Sequence, residues 1–250
     1  MILSTFIDFF KSFQVSGSDY APLTHDPEAT IVISHCNEDY FNSIYLKAPH
    51  DYTRTLEELI HFQEKLNKPL TVWMTPQTHA PGFDSILKQT FASPGDFLGM
   101  VLDLHQLNLA SNSVAIEQVQ TTIQARAYAE IFCEIFHVPS LMQSIEKWVL
   151  STTRHYVAKF NDHYVGASSL MLNKKYQSAG LYNACVLPAF RNLGIGSAMA
   201  QHRIAVAKSL DMRSVSIVLM ADAMAKRYCD KLGFKAHGTL TPYFIKFDTR

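Results

Sequence analysis

A strand stopped by proline, then two glycines opening a helix, constrains this chain more than any other feature. The stretch is Val186-Leu187-Pro188-Ala189-Phe190-Arg191-Asn192-Leu193-Gly194-Ile195-Gly196-Ser197. Gly180 to Leu187 reads as a strand, and Pro188 cannot donate to a continuing ladder. Ile195, Met199, Val206 and Leu210 then recur at helical spacing. The turn therefore feeds a helix N-terminus, where four N–H groups lack intrahelical partners and the dipole end is positive. Glycine lets backbone close on an anion there, and a pyrophosphate suits such a turn. A lone Gly-x-Gly is more often a simple turn. The preceding strand, the spacing Val-x-Pro-x-x-Arg, and the later run Ala225-Lys226-Arg227-Tyr228-Cys229-Asp230-Lys231-Leu232-Gly233-Phe234 favour the anion site.

The rest of the chain reads as alternating helices and strands. Ile2, Leu3, Phe6, Ile7, Phe10 and Phe13 mark one helical face, which points to a helix docked on the core. Asp51 to Asn67 is a helix stopped by Pro69, and Leu70 to Met74 is a strand. Pro81-Gly82 opens a helix to Phe91, Pro94-Gly95 is a turn, and Phe97 to Leu104 is a strand. Ser111-Asn112-Ser113 is a polar break and divides the chain into domains 1–112 and 113–250. After it come a strand Val114 to Val119, a helix Thr121 to Phe136, and a helix capped by Ser140 and running to Leu150. His155 to Phe160 and Tyr164 to Leu172 form a hairpin around Asn161-Asp162-His163. Beyond Leu210, Ser214 to Met220 is a strand and Ala221 to Leu232 a helix. Gly233 stands where a left-handed C-cap is wanted, and Tyr243 to Phe247 is a closing strand.

Composition excludes several classes. The chain has 250 residues, 48% hydrophobic and 18% charged, which is globular. Lys+Arg and Asp+Glu both number 22, so the basic excess of a nucleic-acid binder is missing. No apolar run approaches the ~20 residues of a membrane span. Cys36, Cys133, Cys185 and Cys229 are scattered and form no CxxC, which suits reduced thiols in a cytoplasmic protein. HExxH and clustered Cys/His spacing are missing, so no metal is expected. Met199 occupies the third position of a dinucleotide fingerprint, GxxxxGK[ST] does not occur, and Gly166-Ala167-Ser168-Ser169-Leu170 lacks the second glycine of a hydrolase elbow.

These residues resemble the GNAT superfamily of acyl-CoA-dependent N-acyltransferases. The hallmark Arg/Gln-x-x-Gly-x-Gly/Ala after Val-x-Pro is matched at Val186, Pro188, Arg191, Gly194 and Gly196. The later signature falls on Asp222, Ala225, Cys229 and Leu232-Gly233-Phe234. The resemblance covers about Val114 to Phe247. It implies an α/β (α+β) fold with a mixed, mostly antiparallel central sheet flanked by helices. Residues 1–112 form a smaller α/β domain, either a degenerate copy of the same fold in tandem or an unrelated one.

The resemblance implies acetyl-CoA or another acyl-CoA as co-substrate and a primary amine, on a small molecule or peptide, as acceptor. The amine attacks the thioester directly. Arg191, Asn192, Leu193, Gly194, Ile195, Gly196 and Ser197 would hold the pyrophosphate, with Asp222 beside the cofactor. Ala184 to Val186 would pair with the pantetheine arm, and an N–H near Val186 or Leu187 would stabilise the oxyanion. The family's leaving-group Tyr is replaced by Cys229, with Tyr228 one residue earlier and about 100° away on the helix. Cys229 is either the acid, since free thiols titrate near ~8.5, or core filler. Asp222 is also a candidate helix cap. No acid lies on Gly180 to Leu187, and His155 and His163 read as solvated turn or strand-end histidines, so no general base is named. The alternative is a non-catalytic CoA-binding sensor or interaction module of the same fold. Monomer and homodimer are both compatible with the resemblance.

Overall fold

The computed structural model describes residues 2–12, 23–34, 38–47, 49–75, 81–105, 114–150, 154–221 and 223–245. Contacts divide the chain into two compact units. The first takes Met1–Ser12, Met100–Val218 and Leu232–Lys235, and the second takes Phe13–Gly99, Leu219–Lys231 and Ala236–Arg250. The expected division at 112/113 falls among residues outside the described ones. The units are built from interleaved segments, with the N-terminal helix grouped with the later part of the chain and the C-terminal strand with the earlier part.

In the first unit the strands β5 (Ala115–Gln118), β6 (Arg154–Phe160), β7 (His163–Asn173), β8 (Ser178–Val186) and β9 (Ser214–Met220) lie in the order β9-β8-β7-β6-β5. The pairs β5–β6, β6–β7 and β7–β8 are antiparallel, and β8–β9 is parallel. Asn161 and Asp162 both have positive φ, 48° and 64°, which matches a tight primed turn to the strand twist. Helix α6 (Ile195–Ser209) packs closely on β7. A Cβ on Gly166 would lie 3.0 Å from Met199 Cε and 3.2 Å from Ala158 Cβ, so glycine lets the helix approach.

Helix α4 (Thr122–Phe136) starts at a capping box made by Thr121 and Gln124. Helix α5 (Met142–Val149) begins after a 3₁₀ turn at Pro139–Leu141. Its N-cap is Leu141 rather than the expected Ser140, because Pro139 pre-sets the turn one step earlier. Helix α1 (Ile2–Lys11) buries Ile2, Phe6 and Ile7 of the expected apolar face and also Phe9, which lies off that face, while Leu3 is half-buried. Phe9 stacks on Tyr182 at 4.4 Å, the Tyr182 hydroxyl donates to Thr5 Oγ1 at 2.9 Å, and Trp148 Nε1 donates to Ser12 Oγ at 3.0 Å.

In the second unit β1 (Thr30–Val32), β2 (Ser43–Tyr45), β3 (Leu70–Met74) and β10 (Lys235–Ile245) lie in the order β1-β2-β3-β10. The β2–β3 pair is parallel, and β10 runs antiparallel to β3. Helices α2 (Tyr52–Leu66) and α3 (Pro81–Thr90) supply Leu59, Phe83 and Leu87 to a core with Leu70, Val72, Met74, Tyr243 and Ile245. Asp51 caps α2, and Asn67 ends it at φ 53°. The Tyr243 hydroxyl donates to the buried Asp84 carboxylate. Strand β4 (Phe97–Asp103) and helix α7 (Ala223–Lys231) follow the expected positions. β1 and β2 escape sequence reading because three residues show no periodicity. β10 was expected from Tyr243 onward but begins at Lys235, where exposed polar residues hide the alternation. The mixed, mostly antiparallel sheet flanked by helices is the fold class the sequence implies.

Candidate functional site

The end of β8 is shaped by a bulge. Ser169 pairs with Tyr182 and Ala167 with Cys185, so Ser168 faces two residues, Asn183 and Ala184. Asn183 takes the extra step at φ 52°, a left-handed conformation that Asn tolerates better than other side chains. On its other side β8 pairs with β9 only from Ser178↔Ser214 to Leu181↔Ile217, and no further β8–β9 pair follows among the described residues. Tyr182 to Val186 therefore leaves an open strand edge.

Hydrogen-bond alternation shows which groups face that edge. The Leu187 N–H donates to Val165 O at 2.9 Å, toward β7. Neighbouring residues of a strand point their amides to opposite sides, so the Val186 N–H and C=O face away from β7. Ala184, two residues earlier, is the exposed residue of the stretch. Leu187 is thereby corrected as an oxyanion donor, because its N–H is committed to the sheet. Val186 keeps that geometry.

The turn after the edge leaves its backbone open to solvent. Arg191 Nε donates back to Val186 O at 3.1 Å and ties the turn to the strand. Asn192 and Gly194 have φ 64° and 78°. Gly194 is the N-cap of α6 and makes no side-chain cap, while its carbonyl accepts the first helical bond from Ala198 N at 2.9 Å. Ile195 is buried beneath the turn, and Ser197 is half-buried. Arg191, Asn192, Leu193, Gly194 and Gly196 are exposed, and a Cβ on Gly194 or Gly196 would meet nothing within 4 Å. An exposed, uncapped helix N-terminus fits a pyrophosphate, and the edge leading into it fits an extended amide-bearing arm as an added strand.

Beneath the bulge lies a buried polar layer that sequence reading missed. The Tyr128 hydroxyl lies 2.6 Å from Ser169 Oγ, which is 2.9 Å from His155 Nδ1. His155 is 1% exposed rather than solvated as the sequence suggests, because it sits inside β6 under α4, and burial pushes its imidazole down to about 3, so it is neutral and no base at neutral pH. Burial raises the Cys185 thiol to about 12, against the pull of Arg203 and Arg191. Arg203 is 1% exposed on α6. Its signal was legible: Ile195, Met199 and Arg203 share one helix face in steps of four, so a cation interrupts the apolar stripe.

The residues from Ala184 to Ser197 share the first unit. Tyr228 and Cys229 stand on α7, whose residues group with the second. Tyr228 is half-buried and Cys229 is buried. Burial, with the Asp230 charge, raises the Cys229 thiol to about 11, above the range expected of a free thiol. Asp222 lies outside the described residues. Gly233 ends α7 at φ 90°, the left-handed C-cap the sequence predicts. Among the described residues no group of three His, Cys, Asp or Glu side chains could hold a metal, and no helix is long and apolar enough to cross a membrane.

Residues 124–234 match the acetyltransferase (GNAT) family. This chain carries a GNAT acetyltransferase domain. A GCN5-related N-acetyltransferase from Kribbella flavida superposes with a TM-score of 0.70 at 9% identity, over 98% of this chain and 95% of that one. Another from Sphaerobacter thermophilus gives 0.66 at 15% identity, over 88% and 78%. A tandem GNAT protein of the clavulanic acid biosynthesis pathway gives 0.58 at 11%, over 81% and 74%. At these identities the likeness is one of fold. No curated protein matches the sequence. The GNAT match at 124–234 implies acyl transfer from an acyl-CoA.

Proposed function

We propose that the GNAT domain moves an acetyl group from acetyl-CoA to a primary amine of a small molecule or peptide. The observation that carries this reading is the open edge of β8 running into the uncapped N-terminus of α6. Backbone N–H groups from Leu193 to Ser197 hold the pyrophosphate, Arg191 and Asn192 shape the turn that presents them, and Ala184 and Val186 pair with the pantetheine arm. Asp222 contributes to the same cofactor site. The amine nitrogen attacks the acyl carbon, the C–N bond forms, and the C–S bond breaks. The Val186 N–H faces the edge where charge develops on the acyl oxygen. The amine loses its proton to solvent or a base, and the departing thiolate gains one from Cys229, with Tyr228 as the neighbouring candidate. The earlier part of the chain is a degenerate GNAT copy in this reading, and the protein works in the cytoplasm. The free thiols of Cys133, Cys185 and Cys229 support that compartment.

A second reading has an observation of its own. The family's Tyr position holds a buried thiol raised to about 11, a poor proton donor, which favours a sensor that binds acyl-CoA without turnover.

Calorimetry of acetyl-CoA with wild type and Gly196→Trp tests the site. A Cβ at Gly196 meets nothing within 4 Å, so a side chain can start there without a clash at its first carbon. Binding to wild type, at least about tenfold weaker binding to the variant, and an unchanged melting temperature are expected. A well-folded wild type that does not bind would remove the acyl-CoA reading. Release of CoA thiol with a panel of amines separates enzyme from sensor.

A further inference from the structure

We propose that Arg203 is the positioning residue that holds the β8 bulge in the shape an acyl-CoA requires. The bulge displaces the ladder between β7 and β8 and frees main-chain carbonyls inside the fold. Arg203 Nη1 donates to Ser169 O at 2.9 Å and to Tyr182 O at 3.2 Å, the pair at which regular pairing stops. Its Nε donates to Met199 O at 3.1 Å, which fixes the side chain to its own helix. One buried guanidinium thus ties α6, β7 and β8 together at the last regular pair before Asn183. Burying a cation is costly, and carbonyls left without donors cost about as much as lost hydrogen bonds. A methionine of similar reach would remove the donors and keep the packing. On the same residue of β7, the Tyr128 hydroxyl and His155 Nδ1 hold the Ser169 side chain, so the bulge's β7 anchor is gripped through both main chain and side chain.

The ligand in this inference rests on the acyl-CoA reading, whereas the hold on the bulge does not. The test therefore has two readouts on Arg203→Met and Arg203→Lys: acetyl-CoA affinity by calorimetry, and amide hydrogen exchange along β8 and β6. In Arg203→Met, exchange at Cys185 and Leu187, whose amides face β7, is expected to rise at least tenfold while β6 is unchanged, and acetyl-CoA Kd to rise about tenfold. Arg203→Lys keeps a cationic donor and is expected to recover most of both. If Arg203→Met does not fold, Arg203→Gln, which keeps an N–H donor of shorter reach, is measured in the same way, with an intermediate effect on both readouts expected. A folded variant with unchanged exchange at Cys185 and Leu187 would overturn the proposal. So would normal acetyl-CoA affinity in a variant whose β8 exchange has risen. A wild type that does not bind acetyl-CoA would count against the acyl-CoA reading, and the exchange profile would still decide the role of Arg203.

Discussion

Cys229 shows how much of a side chain's chemistry depends on its surroundings. By residue type it is a thiol titrating near ~8.5, close to the leaving thiol it would protonate. In the fold it is 3% exposed and raised to about 11 by burial and by Asp230. Transfer of its proton to a thiolate is then uphill, so its contribution to turnover is modest, about tenfold or less. Cys229→Ala is expected to keep acetyl-CoA affinity and lower kcat by that amount, and an unchanged kcat would remove Cys229 from the mechanism. The raised value sets a sign as well. An acid acts while protonated, so any loss of rate due to Cys229 is expected only as pH approaches 11. A decline centred near 8.5 belongs to another group.

Among the elements, β8 carries the most information. Gly180 lies beneath the Tyr182 ring: a Cβ there would fall 2.3 Å from Cε2 and 2.6 Å from the hydroxyl. The ring cannot move freely, because Phe9 stacks on it and Thr5 accepts its hydroxyl. Gly180→Ala is therefore expected to destabilise the fold by roughly 1–3 kcal/mol, the usual scale of overpacking, which a thermal melt would detect. Because the clash sits at the docking surface of α1, exchange in that helix should rise as well. A melting temperature equal to wild type would show that the ring relocates without cost. The strand, the proline stop and the glycine turn were all legible, since each rests on local backbone rules. The bulge at Asn183 was not, because it is defined by which residues of β7 stand opposite.

At the scale of the whole molecule, His155 couples stability to pH. The unfolded chain protonates this histidine near 6.5, whereas in the fold it stays neutral until about pH 3. Between those values the unfolded state binds the extra proton, so stability falls as pH drops below about 6.5, by up to ~1.4 kcal/mol per pH unit from this group. Thermal melts from pH 7.5 to 5 should show the decline, and His155→Gln should reduce its slope. Identical slopes would mean that the buried site admits the proton. The sequence by itself determined the strand-turn-helix succession, most helices and strands, and the resemblance to a GNAT domain, because turn glycines, proline stops and amphipathic periods act over a few residues. Tertiary structure alone decided the interleaving of segments into two units, the neutral state of His155, the raised thiol of Cys229 and the place of Arg203 under the bulge. Those depend on burial and on partners far apart in the chain, such as Arg203 with Ser169 and Thr5 with Tyr182, and no local pattern encodes which distant residues will meet.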